Sequence, residues 1–394
     1  MEVKQIYTLI NSVSSEVLGK TDLVHEDLTG VVDLGNEIFN QNAVDNYVKS
    51  LVNHIGKVVF VNRPYSGKVP SVLMDAWEFG SVLEKISADV PQAEENDTWN
   101  LKDGTEYKQD VFHKPTVSAK FFNSKVTFEV PVSITERQVK ESFSSAAQLN
   151  GFLSMIYSAV EKSMTIKTDA LVMRTINNMI AETLDADKAK FGWVASTHET
   201  VDYSSASTVR CVNLLKLYND KTGAQLTADA AITTPDFIRF AAYIMGLYSD
   251  RLQTISTLFN VGGKERFTPK DVLHTVLLSD FAAAAKTYLY ADTFHEDNVL
   301  LPKAETVASW QATGKDYAFE HVSKIDVKSA SGANISVSGV LGVMFDRDAL
   351  GVTNLDRRVT TNYNAKAEFF NNYYKFDAGY FNDTNENFVV FFIA

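Results

Sequence analysis

The chain has little cysteine, no long apolar run and no excess of positive charge. Cys211 is its only cysteine, which excludes an intramolecular disulfide and a cysteine-based zinc site. Such low cysteine content is typical of proteins that fold in a reducing cytoplasm. No stretch reaches the ~18 consecutive apolar residues of a membrane-spanning helix. Because Met1–Lys4 lacks the basic start and apolar run of a signal peptide, we expect neither secretion nor membrane insertion.

Negative charge prevails, since 49 acidic residues outnumber 37 basic ones and leave a net charge of −12. Tight, sequence-independent binding of nucleic acid needs a basic surface, so the composition argues against it. An acidic surface also keeps an ordinary protein soluble. The charge alone therefore does not identify a partner.

Catalytic and nucleotide-binding signatures are missing. Gly19-Lys20-Thr21 would need a glycine at position 14 to form a P-loop, and Ser14 stands there. No G-x-S-x-G motif occurs. The histidines do not show the spacing of a metalloprotease helix; they are His25, His54, His113, His198, His274, His295 and His321.

Three charged or polar features have ordinary structural interpretations. His295-Glu296-Asp297 is interpreted as a solvated loop, and Asp346-Arg347-Asp348 as a charged turn that follows a strand. His274 lies in an apolar stretch and is interpreted as a packed side chain. We therefore expect no catalytic, cofactor-binding or metal-binding residues, and no cofactor.

The N-terminal region changes character along its length. Residues 1–40 mix short apolar pieces with glycines, which predicts an arm with little core of its own. Asn42 is a good N-cap for a helix whose apolar face ends at Ile55. A short strand is predicted over 58–61.

Residues 82–134 alternate apolar and polar side chains, a pattern typical of strands. Asn123-Ser124-Lys125 predicts a turn between two of these strands, and Asp103-Gly104 is a hairpin signal. Nothing in the stretch predicts a compact core. We interpret it as a long two-stranded arm that must pack on another surface.

A long helix follows the arm. Thr135 and Gln138 have the spacing of a capping box, which predicts a helix start. An apolar stripe then predicts a second helix over 146–184, which would span roughly 50 Å at 1.5 Å per residue. Lys162 to Thr168 is its weakest part and a candidate kink.

The remaining chain predicts an α/β module and a C-terminal hairpin. Thr234-Pro235 begins a helix of the module at 234–350. Predicted strands cover 272–278, 322–327 and 340–345, with a helix that starts at Asp280. Lys366–Lys375 and Asn387–Ile393 predict a terminal hairpin whose turn is Asn382–Asn385.

Four stretches in this order resemble a known family. They are residues 46–56 (NYVKSLVNHIG), residues 125–131 (KVTFEVP) followed by Phe143 and the long helix, residues 340–351 (VLGVMFDRDALG), and the aromatic C-terminal region. Together they resemble the major capsid proteins of tailed bacteriophages with the Hong Kong 97-type capsid fold. The resemblance covers roughly residues 40–394 and implies an α+β fold.

The resemblance also implies a division into parts. These are an N-terminal arm (1–60), a connector (61–81), an extended β-loop (82–134), a peripheral domain with the spine helix (135–233), an axial domain (234–350) and a C-terminal return to the peripheral domain (351–394).

The implied function is a shell subunit of an icosahedral or prolate capsid that encloses double-stranded DNA. The implied partners are copies of itself in pentamers and hexamers, a separate scaffolding protein and a portal. The protein would be found in the virion after assembly in the host cytoplasm, without a membrane. Alternatives are a phage tail or baseplate component, an encapsulin-like shell, and a hydrolase without a linear motif.

Overall fold

The chain folds into helices and strands of the α+β class, as expected. The computed structural model describes residues 3–20, 24–25, 30–40, 46–47, 50, 69–74, 83–88, 91, 93, 95–107, 110, 112–114, 117–142, 146–193, 201–290, 304–311 and 318–394. The predicted helix at 42–55 and strand at 58–61 lie mostly or wholly outside these residues.

The helices are α1 (Val3–Leu18), α2 (Val31–Asn40), α3 (Glu136–Ser142), α4 (Ala146–Asp187), α5 (Leu214–Thr222), α6 (Ala228–Ala231), α7 (Pro235–Arg251), α8 (Ser279–Tyr290) and α9 (Phe319–Val322). The strands are β1 (Leu73–Met74), β2 (Leu83–Ala88), β3 (Val117–Phe122), β4 (Lys125–Thr135), β5 (Cys211–Asn213), β6 (Leu273–Leu278), β7 (Ala304–Val307), β8 (Ile325–Lys328), β9 (Asn334–Val337), β10 (Val340–Asp346), β11 (Leu350–Asn364), β12 (Phe369–Asn382) and β13 (Phe388–Phe392).

Two compact units divide the chain, and the first comprises Met1–Gly80, Ser124–Val172 and Val352–Gly379. Its sheet has the strand order β1-β11-β12-β4. Side chains of α1, α2, α4, β4 and β12 share one core. Its buried members are Ile10, Val13, Val24, Val31, Leu34, Ile38, Tyr47, Val130, Ile134, Leu153, Ile156, Val160, Met164, Phe370, Tyr374 and Phe376.

The N-terminal residues contribute to this core, so the interpretation of residues 1–40 as an arm with little core is wrong. Ile10 on α1 and Leu34 on α2 are at most 1% exposed. Of the three glycines that suggested an irregular segment, two stand at helix ends and Gly35 lies within α2. Gly19 directly follows α1 with φ +64°, and Gly30 directly precedes α2 with φ +87°. A glycine with positive φ is a common helix terminator, and helices on both sides of such residues are compatible with a packed core.

Strand β4 also joins the first core, so the expectation that nothing within 82–134 supplies a core is wrong for this strand. Val130 and Ile134 are buried on its inner face. β4 pairs with β12, whereas β3 pairs with β2. The predicted turn at 123–125 therefore separates two sheets and does not join two paired strands.

The second unit comprises Ser81–Asn123, Met173–Gly351 and Tyr380–Ala394. Its largest sheet has the strand order β5-β13-β10-β6-β7. Every residue of β10 and β13 is buried, which explains why these strands are continuous apolar runs. Core residues from α5, α7 and α8 pack with them, among them Leu214, Phe237, Ala241, Met245, Phe281, Ala285, Leu341, Met344, Val389 and Phe391.

Most predicted elements of the 234–350 region are confirmed. α7 begins at Pro235, and β6, α8 and β10 lie within a few residues of their predicted positions. The predicted strand start at Val322 is wrong. Its N–H donates to the carbonyl of Ala318 in the short helix α9, and the strand begins at Ile325.

The predicted C-terminal hairpin is wrong, although its turn is placed correctly. β12 and β13 flank the turn but belong to different sheets. β12 pairs with β4, and β13 lies between β10 and β5. Local turn chemistry identifies where a chain reverses, but the partners of each strand depend on distant residues.

The capping box and the long helix are confirmed. Thr135 Oγ1 accepts from the N–H of Gln138 at 3.2 Å, and Gln138 Oε1 accepts from the N–H of Thr135 at 3.0 Å. α4 runs for 42 residues and continues through Lys162–Thr168. At 1.5 Å per residue it is about 60 Å long.

Phe391 provides a test of the second core. It is fully buried in β13. Phe391→Ala is expected to lower the free energy of unfolding by about 3–5 kcal/mol, because it removes apolar contacts and leaves a cavity. Chemical denaturation of unassembled protein measures the change. Phe267→Ala, at a side chain that is 53% exposed, is the control and should change it by less than about 1 kcal/mol. Equal effects of the two substitutions would contradict the assignment of β13 to the core.

Candidate assembly interface

Strands β2 and β3 form a two-stranded antiparallel sheet in the second unit, which we call the ribbon. Its register places Lys85 opposite Lys120 and Ile86 opposite Ala119. Among the described strands, neither pairs with a third. Because a lone two-stranded sheet is only marginally stable in water, the ribbon depends on contacts made by its faces.

The outward face of the ribbon is largely apolar and exposed. Side chains alternate between the two faces of a strand. Those that point outward are Glu84, Ile86, Ala88, Val117, Ala119 and Phe121. Ile86, Val117 and Phe121 are 66%, 57% and 61% exposed. An ordinary half-buried sheet turns its apolar face inward, so this ribbon has the reverse polarity. Clustered exposed apolar side chains mark an interaction surface.

The segment that joins the two strands carries more exposed apolar side chains. Trp99 and Phe112 are 93% and 87% exposed, and Leu101 is 66% exposed. Trp99 ends a short 3₁₀ turn whose first residues are capped by Asn96 Oδ1, which accepts from the N–H of Thr98 at 2.9 Å. The hairpin signal at Asp103-Gly104 produces a turn, but the described residues beside it are not strands.

The inward face is polar and binds the turn that connects β12 to β13. Asp383 accepts from Lys85 Nζ at 3.1 Å and from Lys120 Nζ at 2.9 Å through its two carboxylate oxygens. Glu386 Oε1 lies 2.8 Å from Lys85 Nζ and 3.2 Å from Arg266 Nε. We call these five residues the ion cluster.

The acidic turn is held rigidly by its backbone. Asp383 Oδ1 accepts from the N–H of Asn385 at 3.0 Å, and the N–H of Asp383 donates to the carbonyl of Ala349 at 2.6 Å. The N–H of Gly262 donates to the carbonyl of Thr384 at 2.8 Å. A Cβ at position 262 would meet Asn385 Oδ1 at 2.0 Å, so a larger residue there would require the Asn385 side chain to move.

Electrostatics favour the charged forms of two members of the ion cluster. Burial of Asp383 acts to raise its pKa, but the hydrogen bonds from Lys120 and Asn385 and the charge of Lys85 outweigh it and hold the pKa below the usual range. Burial of Lys85 acts to lower its pKa, but the hydrogen bond and charge of Glu386, together with Asp383, raise it above the usual range. The Asp383 carboxylate and the Lys85 ammonium are therefore both charged at pH values between their two pKa values.

A family comparison identifies the class of protein to which these surfaces belong. The model of the Phi29-like phage major capsid protein family matches residues 9–392. The chain belongs to this family. The resemblance to tailed-phage major capsid proteins is thereby confirmed, and a tail component, an encapsulin-like shell and a hydrolase are not supported.

Solved phage structures are similar to this capsid protein at low identity. A capsid chain of Staphylococcus phage Andhra is 9% identical, with coverage of 82% of this chain and 83% of that chain and a TM-score of 0.47. A chain from the head-fibre and inner-core structure of bacteriophage P68 is also 9% identical, with coverage of 85% and 86% and a TM-score of 0.46. A capsid chain of cyanophage P-SCSP1u is 11% identical, with coverage of 82% and 86% and a TM-score of 0.42. No curated protein sequence matches.

Family membership defines the role of this capsid protein at a coarse level. It is a structural shell subunit that self-assembles into a multi-subunit capsid of the virion. A structural, non-enzymatic role follows from the family. In such a protein the surfaces that join copies are the functional sites, and the ribbon is a candidate for such a surface.

The structure gives ordinary roles to the residues that the sequence singled out. His274 is partly buried beside the ring of Phe345, at 5.8 Å between centroids, and burial lowers its pKa. Asp346 forms a turn at the end of β10, where it accepts from Thr268 and from the N–H of Asp348. Cys211 is fully buried in β5, and burial raises the pKa of its thiol. His295-Glu296-Asp297 lies outside the described residues.

The part of the chain that the structure describes contains neither a candidate metal site nor a candidate membrane span. No group of three or more histidine, cysteine, aspartate or glutamate side chains there is arranged to hold a metal ion. No described helix is long and apolar enough to cross a membrane. The expectation of no catalytic or cofactor-binding residue stays a prediction.

Asp383 should make the stability of the protein depend on acid pH. Because its pKa is lower in the folded state, its charge contributes stability above the ordinary carboxyl pKa of about 3.9, and this is lost as pH falls through the folded-state pKa. Asp383→Asn should lower the free energy of unfolding by about 1–3 kcal/mol at pH 7, with a shrinking difference toward pH 2. Denaturation at a series of pH values measures it.

The exposed pair of Asp356 with Arg358 provides the control, since solvent screens the attraction in a surface ion pair. Asp356→Asn should change stability little at any pH. The free energy of unfolding of Asp383→Asn could instead differ from that of the unaltered protein by the same amount from pH 7 to pH 2. That result would contradict the role assigned to the charge of Asp383.

Proposed function

We propose that the ribbon and the segment at 89–116 are the extended loop through which each subunit overlaps a neighbouring subunit of the shell. The reverse polarity of the ribbon carries this proposal. Its lysines face its own subunit, and its apolar side chains face solvent. A second copy of the chain is the partner that a self-assembling shell supplies.

The apolar face is large enough to favour association. Full burial of a single valine, isoleucine or phenylalanine side chain contributes about 1.5–3 kcal/mol. The ribbon offers Ile86, Val117 and Phe121, and the joining segment adds Trp99 and Phe112. Each contact is modest, but repeated contacts in a closed assembly reinforce one another.

The division into named parts is also a proposal. It comprises an N-terminal region (1–60), a connector (61–81), the extended-loop region (82–134), a peripheral domain with the spine helix (135–233), an axial domain (234–350) and a C-terminal return (351–394), as in the Hong Kong 97-type fold. The described helices of the N-terminal region pack in the first core, so this region is not a free arm. Within 82–134 the ribbon and the segment at 89–116 are the part that overlaps a neighbour, whereas β4 pairs with β12. The length of α4 supports the spine helix, because a helix of 42 residues needs packing partners along its length. The buried sheet around β10 supports a separate core for the axial domain, and it also includes β5 and β13 from outside residues 234–350.

The remaining partners follow from the proposed shell. Copies of the chain form pentamers and hexamers, a separate scaffolding protein and a portal take part in assembly in the host cytoplasm, and the shell encloses double-stranded DNA without sequence-specific binding. The net charge of −12 supports an inner wall that does not hold the DNA tightly. A strongly basic inner surface in an assembled shell would contradict this last point. The subunit has no catalytic role.

Substitution of the outward face tests the overlap. The double substitution Ile86→Thr with Phe121→Thr keeps strand-forming side chains but removes apolar contact area. We expect a soluble, folded subunit that no longer forms closed shells, because the apolar face can no longer be buried favourably. Sedimentation and electron microscopy measure assembly, and circular dichroism checks folding.

Glu84→Gln is the matched control because Glu84 lies on the same exposed face of β2. It changes a charge but leaves the apolar area intact, so shells should form. Normal shells from the Ile86 and Phe121 double variant would refute the proposed overlap.

A further inference from the structure

Charged side chains join the ribbon to the 383–386 turn of its own subunit. Asp383 and Glu386 of the ion cluster have side chains that are only 2% and 10% exposed. Lys85 also donates from Nζ to the carbonyl of Asp348 at 3.2 Å. Beyond these residues, Ser87 and Ser118 hydrogen-bond across the ribbon at 3.0 Å between their hydroxyls. The described polar contacts near the base of the ribbon are therefore ionic and reach the body of the subunit. Further out, the hydrogen bond between Ser87 and Ser118 joins the two strands only to each other.

The two lysines would destabilise the ribbon if the carboxylates were absent. Lys85 and Lys120 are directly opposite in the register, and like charges at opposite positions of a strand pair repel. Asp383 lies between the two ammonium groups and contacts each with a different oxygen. Its charge therefore both binds the ribbon and permits the pairing of β2 with β3.

The two sides of this contact differ in rigidity. The acidic turn is fixed by the hydrogen bonds of Asp383, Thr384 and Asn385 described above. Lysine side chains, by contrast, are long and carry several rotatable bonds. A polar cleft of about 120 Å³ adjoins the cluster, so the inner face is not closely packed there. The ribbon can leave the turn without opening an apolar core.

An apolar contact marks the position about which the ribbon would turn. Phe122, the last residue of β3, packs on Phe381 with ring centroids 5.0 Å apart. Phe381 is only 4% exposed, so this contact belongs to the body of the unit. The ionic contacts of Lys120 come two residues further along the ribbon.

We propose that the ion cluster is a latch that holds the ribbon in one orientation in the free subunit and, when opened, releases it to swing about Phe122. The latch rests on the proposed function, because the orientation of the ribbon decides where its apolar face meets a neighbouring subunit. Charge pairing with the 383–386 turn sets this orientation before assembly.

Hydrogen exchange of full-length, unassembled protein tests the latch. Asp383→Asn keeps the size of the side chain and the oxygen that accepts from Asn385, but removes the charge. We expect exchange in peptides from β2 and β3 to become about tenfold faster or more, while β10 and β13 keep their protection. Asp356→Asn, at an exposed ion pair, should leave the ribbon unchanged.

A second substitution separates latch opening from general damage. Lys120→Met in the Asp383→Asn protein removes the repulsion between the paired lysines. It should restore the pairing of β2 with β3 in part, but not the attachment of the ribbon to the 383–386 turn, so exchange should stay faster than in the unaltered protein. Unchanged ribbon exchange in Asp383→Asn, or full recovery on adding Lys120→Met, would overturn the latch. So would an equal loss of protection in β10 and β13, since Asp383 would then be a general structural residue.

These outcomes are independent of the overlap itself. The overlap is tested by assembly of the Ile86 and Phe121 double variant, which leaves the ion cluster intact. Normal exchange in Asp383→Asn with failed assembly of that double variant would remove the latch and keep the overlap. Shells from the double variant would remove the overlap, whatever the exchange result.

Discussion

The pairing of two ribbon lysines with one buried carboxylate is the interaction on which the proposed interface depends. Lys85 and Lys120 can occupy opposite positions on the ribbon because Asp383 contacts both ammonium groups and Glu386 supplies a second carboxylate to Lys85. Once the lysines face inward, alternation along the strands places Ile86, Val117 and Phe121 outward. The exposed apolar face is thus a direct consequence of the charged inner face.

The two compact units bury their apolar side chains, whereas the ribbon exposes its own. Helices α1, α2 and α4 bury their apolar stripes in the first, and β10 and β13 are buried on both faces in the second. Each unit therefore completes its own core, whereas the ribbon leaves apolar area uncovered in the single chain. For a protein of a capsid family, burial against another copy is the natural completion of that surface. The two cores therefore serve the folding of a single subunit, and the ribbon serves its assembly with other subunits.

Sequence patterns predicted the elements whose signals are local. The capping box at Thr135 and Gln138, the proline at the start of α7 and the apolar stripe of α4 act over a few residues, and the structure contains all three. The helices within residues 1–40 were missed because Gly19 and Gly30 at helix ends, and Gly35 within α2, were interpreted as signs of an irregular segment.

Contacts between residues far apart in the chain explain the remaining differences between the sequence predictions and the structure. β12 and β13 flank a correctly predicted turn, but their partners come from β4, β5 and β10. The ion cluster was likewise missed, since Lys120 and Asp383 are 263 residues apart in the chain. The only local signal was a pair of lysines on the polar face of two alternating strands, and nothing nearby indicates the acidic turn that binds them.

Electron cryo-microscopy of the assembled shell would show which surface covers each ribbon. We expect Ile86, Val117 and Phe121 of every subunit to be buried against a neighbouring copy of the chain. A shell in which these three side chains remain exposed to solvent, with the ribbon free of any neighbour, would contradict it.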